Sequence, residues 1–324
     1  MFRKAIRSDS ERNLTMGFAR LGERAGRQGT VSEQVHDGDT ITAIADGNIG
    51  VRLLGIDTPE ISFIFPGRSF LGLARPEWSQ LLSDPFNSKY GEFSVPLHEG
   101  LKAWWSSRVG KHAATTHKDH ADKATDQLRE MVEADRKIMG KTNEDFKFYM
   151  VFGYEVMDGY GRFLCVINRD QPERTVPAPR PPTYNQRMLE RGLAFPYFIF
   201  PNVNPYNRAD SVTEAVIKPG TAKTVMSDNR EIKTARENVQ QARAKHLGLF
   251  DASDPALLEP FELRAIARRE PPGRWLIDIS KNDDVLIHPH NYYTVPHPED
   301  RLFIPSHYVP LFVEQGWKRQ TAPA

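Results

Sequence analysis

The chain has a single cysteine, Cys165, among 324 residues, and almost no excess of charge of either sign. One cysteine cannot form a disulfide within the chain, so a fold built on a disulfide framework is excluded. The 43 Lys and Arg residues nearly balance the 42 Asp and Glu residues, which leaves a net charge of +1. The chain as a whole is therefore not a polycation, and binding of a polyanion has to depend on a local cluster of basic side chains.

Long apolar runs are missing as well. No stretch reaches the roughly 18 apolar residues that predict a membrane-spanning helix, so no membrane partner is expected. Residues 1–30 form a basic arm without the apolar segment of a secretory signal. A cytoplasmic location is therefore the expectation, with secretion if a leader precedes the chain in the natural protein. The arm itself is expected to be a solvated tail, although its arginines allow contact with phosphate.

The first structured segment predicts a β-hairpin that carries carboxylates. Residues 40–45 read as a strand, 46–48 as a turn and 49–56 as the returning strand. In such a hairpin Asp39 and Asp57 lie at the same end, where they repel each other unless a cation or an arginine sits between them. An all-oxygen ligand set of this kind suits calcium or magnesium rather than zinc.

The same region supplies the other groups that phosphodiester hydrolysis needs. Arg52 lies on the returning strand, and Glu60 follows Asp57 by three residues. Attack of water on a phosphodiester develops negative charge, which a divalent cation and guanidinium groups stabilise. A carboxylate close to the phosphorus orients or deprotonates the water. The sequence thus predicts a metal-dependent phosphodiesterase.

The rest of the chain predicts a mixture of helices and strands. Period and capping patterns predict helices over 122–138, 183–192 and 228–248, strands over 146–156 and 162–168, and short strands at 261–266, 275–279, 284–288 and 302–304. The two histidine sets, His112, His117 and His120, and His288, His290 and His297, match no known zinc spacing, so ordinary surface or packed histidines are expected. Trp104 and Trp105 are expected to anchor the segment that contains them to a central β-barrel, with lining of a substrate groove as the alternative.

Five ordered segments together resemble the staphylococcal nuclease-like (thermonuclease) family. They are DGDT at 37–40, RLLGIDTPE at 52–60, DGYGR at 158–162, NQRMLERGLA at 185–194 and the helix end at 242–250. The resemblance implies an α+β fold: an OB-type five-stranded β-barrel with packed helices. It does not cover residues 62–119 or anything beyond 251.

The predicted organisation has three parts. Residues 1–30 form the basic arm, and 31–250 form the nuclease-like OB-fold domain with a large insertion at 62–119. Residues 251–324 form a β-rich C-terminal module of unknown role. Because the insertion directly follows Glu60, it is expected to border the active site and to cap the cleft.

Carried over residue by residue, the resemblance also implies the roles of individual side chains. Asp39, Asp57 and the carbonyl of Thr58 would bind Ca²⁺ (Mg²⁺ or Mn²⁺ as possible substitutes), Glu60 would orient the water or act as the base, Arg52 and Arg162 would clamp the phosphate, and Tyr160, Tyr197 and Phe198 would contact the substrate. The chain departs from the family pattern at Gly159, in place of a phosphate-contacting lysine, and at Phe198, in place of a base-stacking tyrosine.

The function that follows is that of a nuclease acting on DNA or RNA, with low sequence specificity and 3′-phosphate products. One alternative is a non-catalytic OB-fold module that binds nucleic acid or a protein. A second alternative keeps the chemistry but assigns residues 62–119 and 251–324 to delivery of the nuclease to a particular nucleic-acid structure or complex.

Overall fold

The computed structural model describes residues 4–9, 14–35, 40–251, 253 and 258–321. The fold is mixed α+β, as expected, with several sheets and with helices packed around them. Asp39, a predicted calcium ligand, lies outside the described residues.

The elements are defined here in chain order. The strands are β1 (Ile6–Asp9), β2 (Leu14–Gly17), β3 (Ala19–Leu21), β4 (Glu23–Arg24), β5 (Arg27–Gln28), β6 (Ala43–Ala45), β7 (Gly50–Leu53), β8 (Gly55–Asp57), β9 (Ser62–Ile64), β10 (Phe70–Gly72), β11 (Phe148–Met157), β12 (Arg162–Arg169), β13 (Phe195–Ile199), β14 (Trp275–Asp278), β15 (Val285–Leu286), β16 (Arg301–Ile304) and β17 (Lys318–Arg319). The helices are α1 (Val31–Gln34), α2 (Pro76–Ser83), α3 (Glu99–Ser106), α4 (Ala113–Ile138), α5 (Tyr184–Glu190), α6 (Ala222–Asp228), α7 (Arg230–Ala244), α8 (Pro260–Arg268) and α9 (Val309–Glu314). Short 3-10 helices cover Ser88–Tyr90, Gly248–Phe250, Pro289–Thr294, Pro298–Asp300 and Ser306–Tyr308.

Two sheets carry the centre of the fold. One has the strand order β11–β12–β7, and the other has the order β14–β16–β13–β8. The second sheet thus joins two strands from the C-terminal residues to two strands from the predicted nuclease-like region. Helices α4, α5 and α7 contribute buried residues to the core cluster that also contains β8, β12 and β13 side chains.

The predicted pairing of the 40–56 hairpin is wrong. Strand β6 pairs antiparallel with β3, from the N-terminal arm, and β7 pairs parallel with β12. A turn sequence at 46–48 shows where the chain reverses, but the strand partners are distant in sequence and no local pattern reveals them.

The returning strand bends at Gly55 and passes from one sheet into the other. Gly55 has φ of 74°, a left-handed conformation that disfavours any residue with a Cβ atom. The residues before the bend form β7, and those after it form β8. In a straight strand, Arg52 and Asp57 would lie roughly 16 Å apart on opposite faces. The bend instead brings Arg52 Nη2 within 2.6 Å of Asp57 Oδ1.

Replacing Gly55 by alanine tests this bend. A left-handed conformation costs a residue with a Cβ roughly 1–2 kcal/mol, so we expect Gly55→Ala to lower the free energy of unfolding by about that amount. A Cβ there would also contact the Phe198 ring at 3.7 Å. Gly159→Ala is the matched control, because its φ is not positive and a Cβ at that position meets nothing within 4 Å. Urea unfolding measures both variants, and equal stability would contradict the role of the bend.

The insertion and the C-terminal residues share a second core. Phe63, Trp78 and Trp105 from the insertion pack in one cluster with Ile266 and Tyr292. Trp105 is fully buried, and its Nε1 donates to Tyr292 Oη at 2.9 Å. Trp104 and Trp105 anchor the insertion, but to Glu262 and Tyr292 in the C-terminal residues rather than to the expected β-barrel, so the prediction holds only in part. The limits of the three predicted parts stay predictions.

The predicted strand at 261–266 is helix α8. The apolar residues alternate there, which is typical of a strand, but the intervening Glu262 is buried rather than exposed. Its carboxylate accepts from Arg108 Nη1 at 2.7 Å and from Trp104 Nε1 at 2.9 Å. Because this buried carboxylate has hydrogen-bond partners, a charged residue occupies the buried face of α8. The apolar residues alone therefore do not show the helical period. The strands predicted near 275–279 and 302–304 are confirmed as β14 and β16.

The other predicted helices and strands are confirmed, with shifted ends. Helix α4 begins at Ala113, nine residues before the predicted start. Helix α5 begins after the predicted cap, Thr183, whose side chain accepts from Gln186 N. The helix expected from Asp228 is α7, with Asn229 as its cap. Within the part of the chain that the structure describes, no helix is both long and apolar enough to cross a membrane.

Candidate active site

A buried carboxylate lies at the centre of the candidate site. Asp57 ends strand β8 and is 1% exposed. Its Oδ1 contacts Arg52 Nη2 at 2.6 Å and Arg264 Nη1 at 3.3 Å, while its Oδ2 contacts Arg264 Nη2. Burial alone would raise the pKa of Asp57, but the guanidinium groups of Arg264 and Arg52 hold that pKa below its ordinary value. Asp57 is therefore ionised at neutral pH.

Arg264 joins this carboxylate to a second one. Arg264 Nη1 also contacts Glu60 Oε1 at 2.6 Å. The Arg264 side chain is 20% exposed and that of Glu60 is 33% exposed, so solvent reaches this edge of the cluster. Two carboxylates this close would repel each other without a cation between them. The guanidinium group of Arg264 supplies that cation from helix α8, 204 residues further along the chain.

His117 fixes the backbone next to these groups. The Nε2 atom of this buried side chain, on helix α4, accepts from the Glu60 backbone N–H at 3.1 Å. Burial, with smaller contributions from Arg264 and His120, lowers the pKa of His117 to about 3. The imidazole is therefore neutral and can accept this hydrogen bond at physiological pH. Helix α4 thus positions the residue that the sequence predicts as the catalytic base.

A second group of residues surrounds Arg162 at the start of β12. Arg162 Nη2 contacts Asp158 Oδ2 at 2.7 Å, and the guanidinium group lies over the Tyr160 ring at 5.3 Å. Tyr160 is 60% exposed, and its hydroxyl accepts from Arg268 Nη2 at 3.0 Å. Arg264 and Arg268 are four residues apart on α8 and therefore lie on one face of that helix. Helix α8 thus contacts both parts of the site.

Arg52 and Arg162 lie on the same face of their sheet. In the parallel pairing of β7 with β12, Arg52 is opposite Leu164, two residues after Arg162. Residues two apart on a strand share a face, so the Cα atoms of Arg52 and Arg162 are about 8 Å apart on one side. Both side chains are partly exposed, 26% for Arg52 and 42% for Arg162. A single phosphate group is small enough to approach guanidinium groups placed in this way.

A cavity of about 190 Å³ adjoins the cluster on the α8 side. Arg264, Arg268 and Arg274 line it together with Tyr197. Tyr197 stacks on Phe261 and is 7% exposed, and its hydroxyl accepts from Arg274 Nη1 at 2.8 Å. Glu270 lines the cavity as well, so three guanidinium groups and one carboxylate border it, which suits a small anionic group rather than an apolar one.

Phe198 does not share this surface with Tyr197. It is 3% exposed and belongs to the core cluster on the other side of β13. Neighbouring residues of a strand point to opposite faces, so the two side chains cannot contact the same base. Phe198 is therefore not accessible at this surface, whereas the Tyr160 ring is exposed.

No known protein family, curated protein or solved structure matches this chain. The interpretation of the site therefore depends on the geometry of its residues.

At the carboxylate cluster, the described residues do not by themselves form a calcium site. Of the predicted ligands, Asp57 has both carboxylate oxygens in ion pairs with arginine, and Asp39 lies outside the described residues. Thr58 follows Asp57 directly, but one carbonyl adds little to a carboxylate that is already neutralised. The cation between Asp57 and Glu60 in this arrangement is Arg264. Binding of calcium at Asp57 would require a guanidinium group to leave one of its oxygens.

Sequence reasoning missed Arg264, Arg268 and His117 as members of this site. Glu259 and Glu262 form a capping box with Pro260 at the first helical position, and this signal predicts the start of α8. Had the helix been recognised, the spacing of Arg264 and Arg268 would have indicated a basic face. Nothing local indicates that this face lies against Asp57.

Proposed function

We propose that this chain is a nuclease that hydrolyses phosphodiester bonds of DNA or RNA at the site formed by Arg52, Asp57, Glu60, Arg162 and Arg264. The observation that carries the proposal is the guanidinium group of Arg264, which lies between a buried carboxylate and a solvent-accessible one. Bringing carboxylates and arginines from separate elements out of water costs hydration, and such clusters occur at functional sites as well as in structural networks such as that of Asp135. The cluster at Asp57 differs from that network in having a solvent-accessible carboxylate, Glu60.

The roles follow from exposure and from contacts. Arg52 and Arg162, on one face, would hold the non-bridging oxygens of the scissile phosphate, since arginine pairs with phosphate through two N–H groups. Glu60 would orient the attacking water and accept its proton, because its carboxylate is the more exposed of the two. Asp57 would keep Arg52 and Arg264 in place. The guanidinium charge of Arg264 would stabilise the negative charge that develops on the phosphate.

The substrate class follows from the local concentration of arginine. The whole chain carries a net charge of only +1, yet Arg52, Arg162, Arg264, Arg268 and Arg274 lie in or beside this site. Such a cluster attracts phosphate, and the exposed ring of Tyr160 suits a terminal phosphate or a base. Among the described residues, no side chain of the cluster is placed to contact base edges, so we propose low sequence specificity. The proposal also includes 3′-phosphate products, which the family resemblance implies.

Calcium dependence and the OB-type barrel belong to the same proposal. A bound calcium ion, with magnesium or manganese as possible substitutes, would supply further positive charge at the phosphate. The bend at Gly55 supports a barrel, because strands that pass from one sheet to another form the corners of closed or orthogonal β structures.

One observation favours the alternative of a non-catalytic binding module. Both oxygens of Asp57 are neutralised by arginine, so the cluster can hold a phosphate group without cleaving it. Binding of nucleic acid without turnover would then be the whole function. The two functions differ in whether they require the Glu60 carboxylate, which cleavage needs and binding alone does not.

Cleavage of single-stranded DNA, double-stranded DNA and RNA in calcium, magnesium or chelator tests the proposal. We expect the wild type to cut at least one of these substrates, and we expect Arg52→Ala and Glu60→Gln to lose that activity. The matched controls are Arg129→Ala and Glu99→Gln, whose side chains are 74% and 84% exposed in surface ion pairs. Circular dichroism of each variant checks that the fold is retained.

The outcomes separate the two functions. Cleavage that depends on Arg52 and Glu60 and survives both control substitutions supports the nuclease. Binding without cleavage in any metal, unchanged in Glu60→Gln and weakened in Arg52→Ala, would replace it by the binding module. If cleavage and binding are the same in all variants, these residues serve neither cleavage nor binding of nucleic acid.

A further inference from the structure

Three histidines converge at the contact between the insertion and the C-terminal residues. His98 directly precedes helix α3, and His288 and His290 lie at the start of the 3-10 helix Pro289–Thr294. One ring nitrogen from each lies within 4.8 Å of the other two. The His98 ring centroid is 5.0 Å from that of His288 and 4.2 Å from that of His290. The sequence does not reveal this cluster, because His98 precedes His288 by 190 residues and His290 by 192.

Hydrogen bonding within the described residues does not account for these rings. The Nδ1 atoms of His98 and His290 are buried and have no hydrogen-bond partner in the part of the chain that the structure describes. A buried polar atom without a partner is destabilising by roughly 1–3 kcal/mol, and such atoms are rare in folded proteins. Two of them in one cluster of three imidazoles indicate that something else binds there.

We propose that His98, His288 and His290 bind one late first-row divalent cation, with Zn²⁺ as the natural occupant. Three imidazole nitrogens suit zinc, copper, nickel or cobalt, and they exclude the calcium proposed for the carboxylate site. With Zn–N bonds of about 2.0–2.1 Å, tetrahedral ligand nitrogens lie roughly 3.4 Å apart. The rings therefore have to approach one another by up to about 1.5 Å from the arrangement described here.

The surroundings hold the two C-terminal ligands in position. Gln320 Oε1 accepts from the His288 backbone N–H at 3.0 Å and from Asn291 Nδ2 at 2.9 Å. The Trp275 ring packs edge-on against His288 at 5.4 Å. His288 Nδ1 accepts a hydrogen bond of 3.2 Å from the His290 backbone N–H. Ligation through Nδ1 uses the lone pair that accepts this hydrogen bond, and ligation through Nε2 moves the ring proton to Nδ1, so this long hydrogen bond is lost in either case.

The site would have an open position and a structural consequence. Three protein ligands leave room for water or another ligand on zinc, and His98 and His288 are only partly buried. The metal would also cross-link the start of α3 to the C-terminal residues, next to the Trp105–Tyr292 contact. The nuclease proposal uses none of these three histidines, so the two proposals fail or succeed separately.

Metal titration of the untagged full chain tests the site. We expect Co²⁺ to give the visible absorption bands of a four-coordinate ion at one equivalent per chain, and Zn²⁺ to displace it. His98→Ala and His290→Ala should abolish this stoichiometric binding, whereas the exposed controls His112→Ala and His307→Ala should retain it. Zn²⁺ should raise the melting temperature of the wild type and of both controls but not of the site variants.

A second, milder substitution covers the case in which alanine variants fail to fold. His98→Asn keeps a polar side chain at the start of α3 and should fold while losing the cobalt spectrum. X-ray absorption of the zinc-loaded wild type should show histidine ligands at the metal. Wild type that binds Co²⁺ no better than His98→Asn, or a zinc spectrum without imidazole, would overturn the proposal.

Discussion

Arg264→Gln is expected to lower phosphodiester cleavage by about 10²–10³-fold and, at the same time, to strengthen calcium binding by the free protein. The first effect follows because Arg264 is the cation nearest to both Asp57 and Glu60. Removing a preorganised positive charge from the place where negative charge develops costs transition-state stabilisation. The second effect follows because the guanidinium group and a divalent cation compete for the same carboxylate oxygens.

The competition has a clear electrostatic basis. Burial raises the pKa of Asp57, and nearby positive charges lower it. Arg264 lowers it the most, and Arg52 is next. Without Arg264 the pKa of Asp57 rises. The Asp57 carboxylate also has one ion pair fewer to break when it binds calcium. Because a raised pKa also favours the protonated form, the calcium titration belongs at alkaline pH, where Asp57 is ionised in both proteins.

Two measurements on the same variant check this prediction. Isothermal titration without substrate gives the calcium affinity, and cleavage under saturating metal gives the rate. Arg129→Gln is the control, since Arg129 is 74% exposed and contacts the exposed Asp126 at 2.9 Å. Cleavage at the wild-type rate with unchanged calcium affinity would reduce Arg264 to a structural residue. Faster cleavage in Arg264→Gln would make it an inhibitor of the site.

The sequence-based predictions succeeded where the determinants are local. The strand at 162–168 and the capped helix after Thr183 lie in continuous segments with their own signals. The bend at Gly55, which divides the predicted strand 49–56 into β7 and β8, was not predicted. Arg52 and Asp57 were placed in one site because they share such a segment. Their contact at 2.6 Å forms where the chain bends at Gly55, between β7 and the rest of β8.

The predictions failed where a polar side chain is buried or a partner is remote. Helix α4 begins earlier than expected because His117, with Ala113, Ala114 and Ala121, is part of its buried face. A histidine counts as polar when apolar residues are used to find a helical period, so the first nine residues of α4 were not recognised as helix. Helix α8 was read as a strand for the related reason that Glu262 is buried and bonded to Arg108.

The candidate site shows the same limit in its chemistry. Its acidic half could be predicted from adjacent residues, whereas its cation, Arg264, comes from beyond the region of resemblance. The contact between Arg264 and Asp57 spans 207 residues. Long-range pairing of this kind is decided by packing of the whole chain, here by the shared core of the insertion and α8. The three-histidine cluster joins the same two regions and was undetectable for the same reason.

Asp135→Ala is expected to lower the free energy of unfolding by about 3–5 kcal/mol, the cost of breaking a buried ion pair from one side. Asp135 Oδ1 contacts Arg169 Nη1 at 3.1 Å, and its Oδ2 contacts Arg187 Nη2 at 2.6 Å. The side chains of Asp135 and Arg169 are 4% and 1% exposed, so water cannot replace the lost partner without opening the fold. This carboxylate joins α4 to β12 and α5.

Urea unfolding of Asp135→Ala, beside Asp126→Ala on the exposed face of the same helix, measures the effect. The Asp126–Arg129 pair is a surface pair and should contribute at most about 1 kcal/mol. Asp135→Asn keeps the shape and removes the charge, so a similar loss there would assign the effect to the charge rather than to a cavity. Because α4 also carries His117, which holds the Glu60 backbone, we expect Asp135→Ala to slow cleavage at temperatures where the protein is still folded. Equal stability of the Asp135 and Asp126 variants would mean that the two arginines find other partners, and that α4 is held by its apolar face alone.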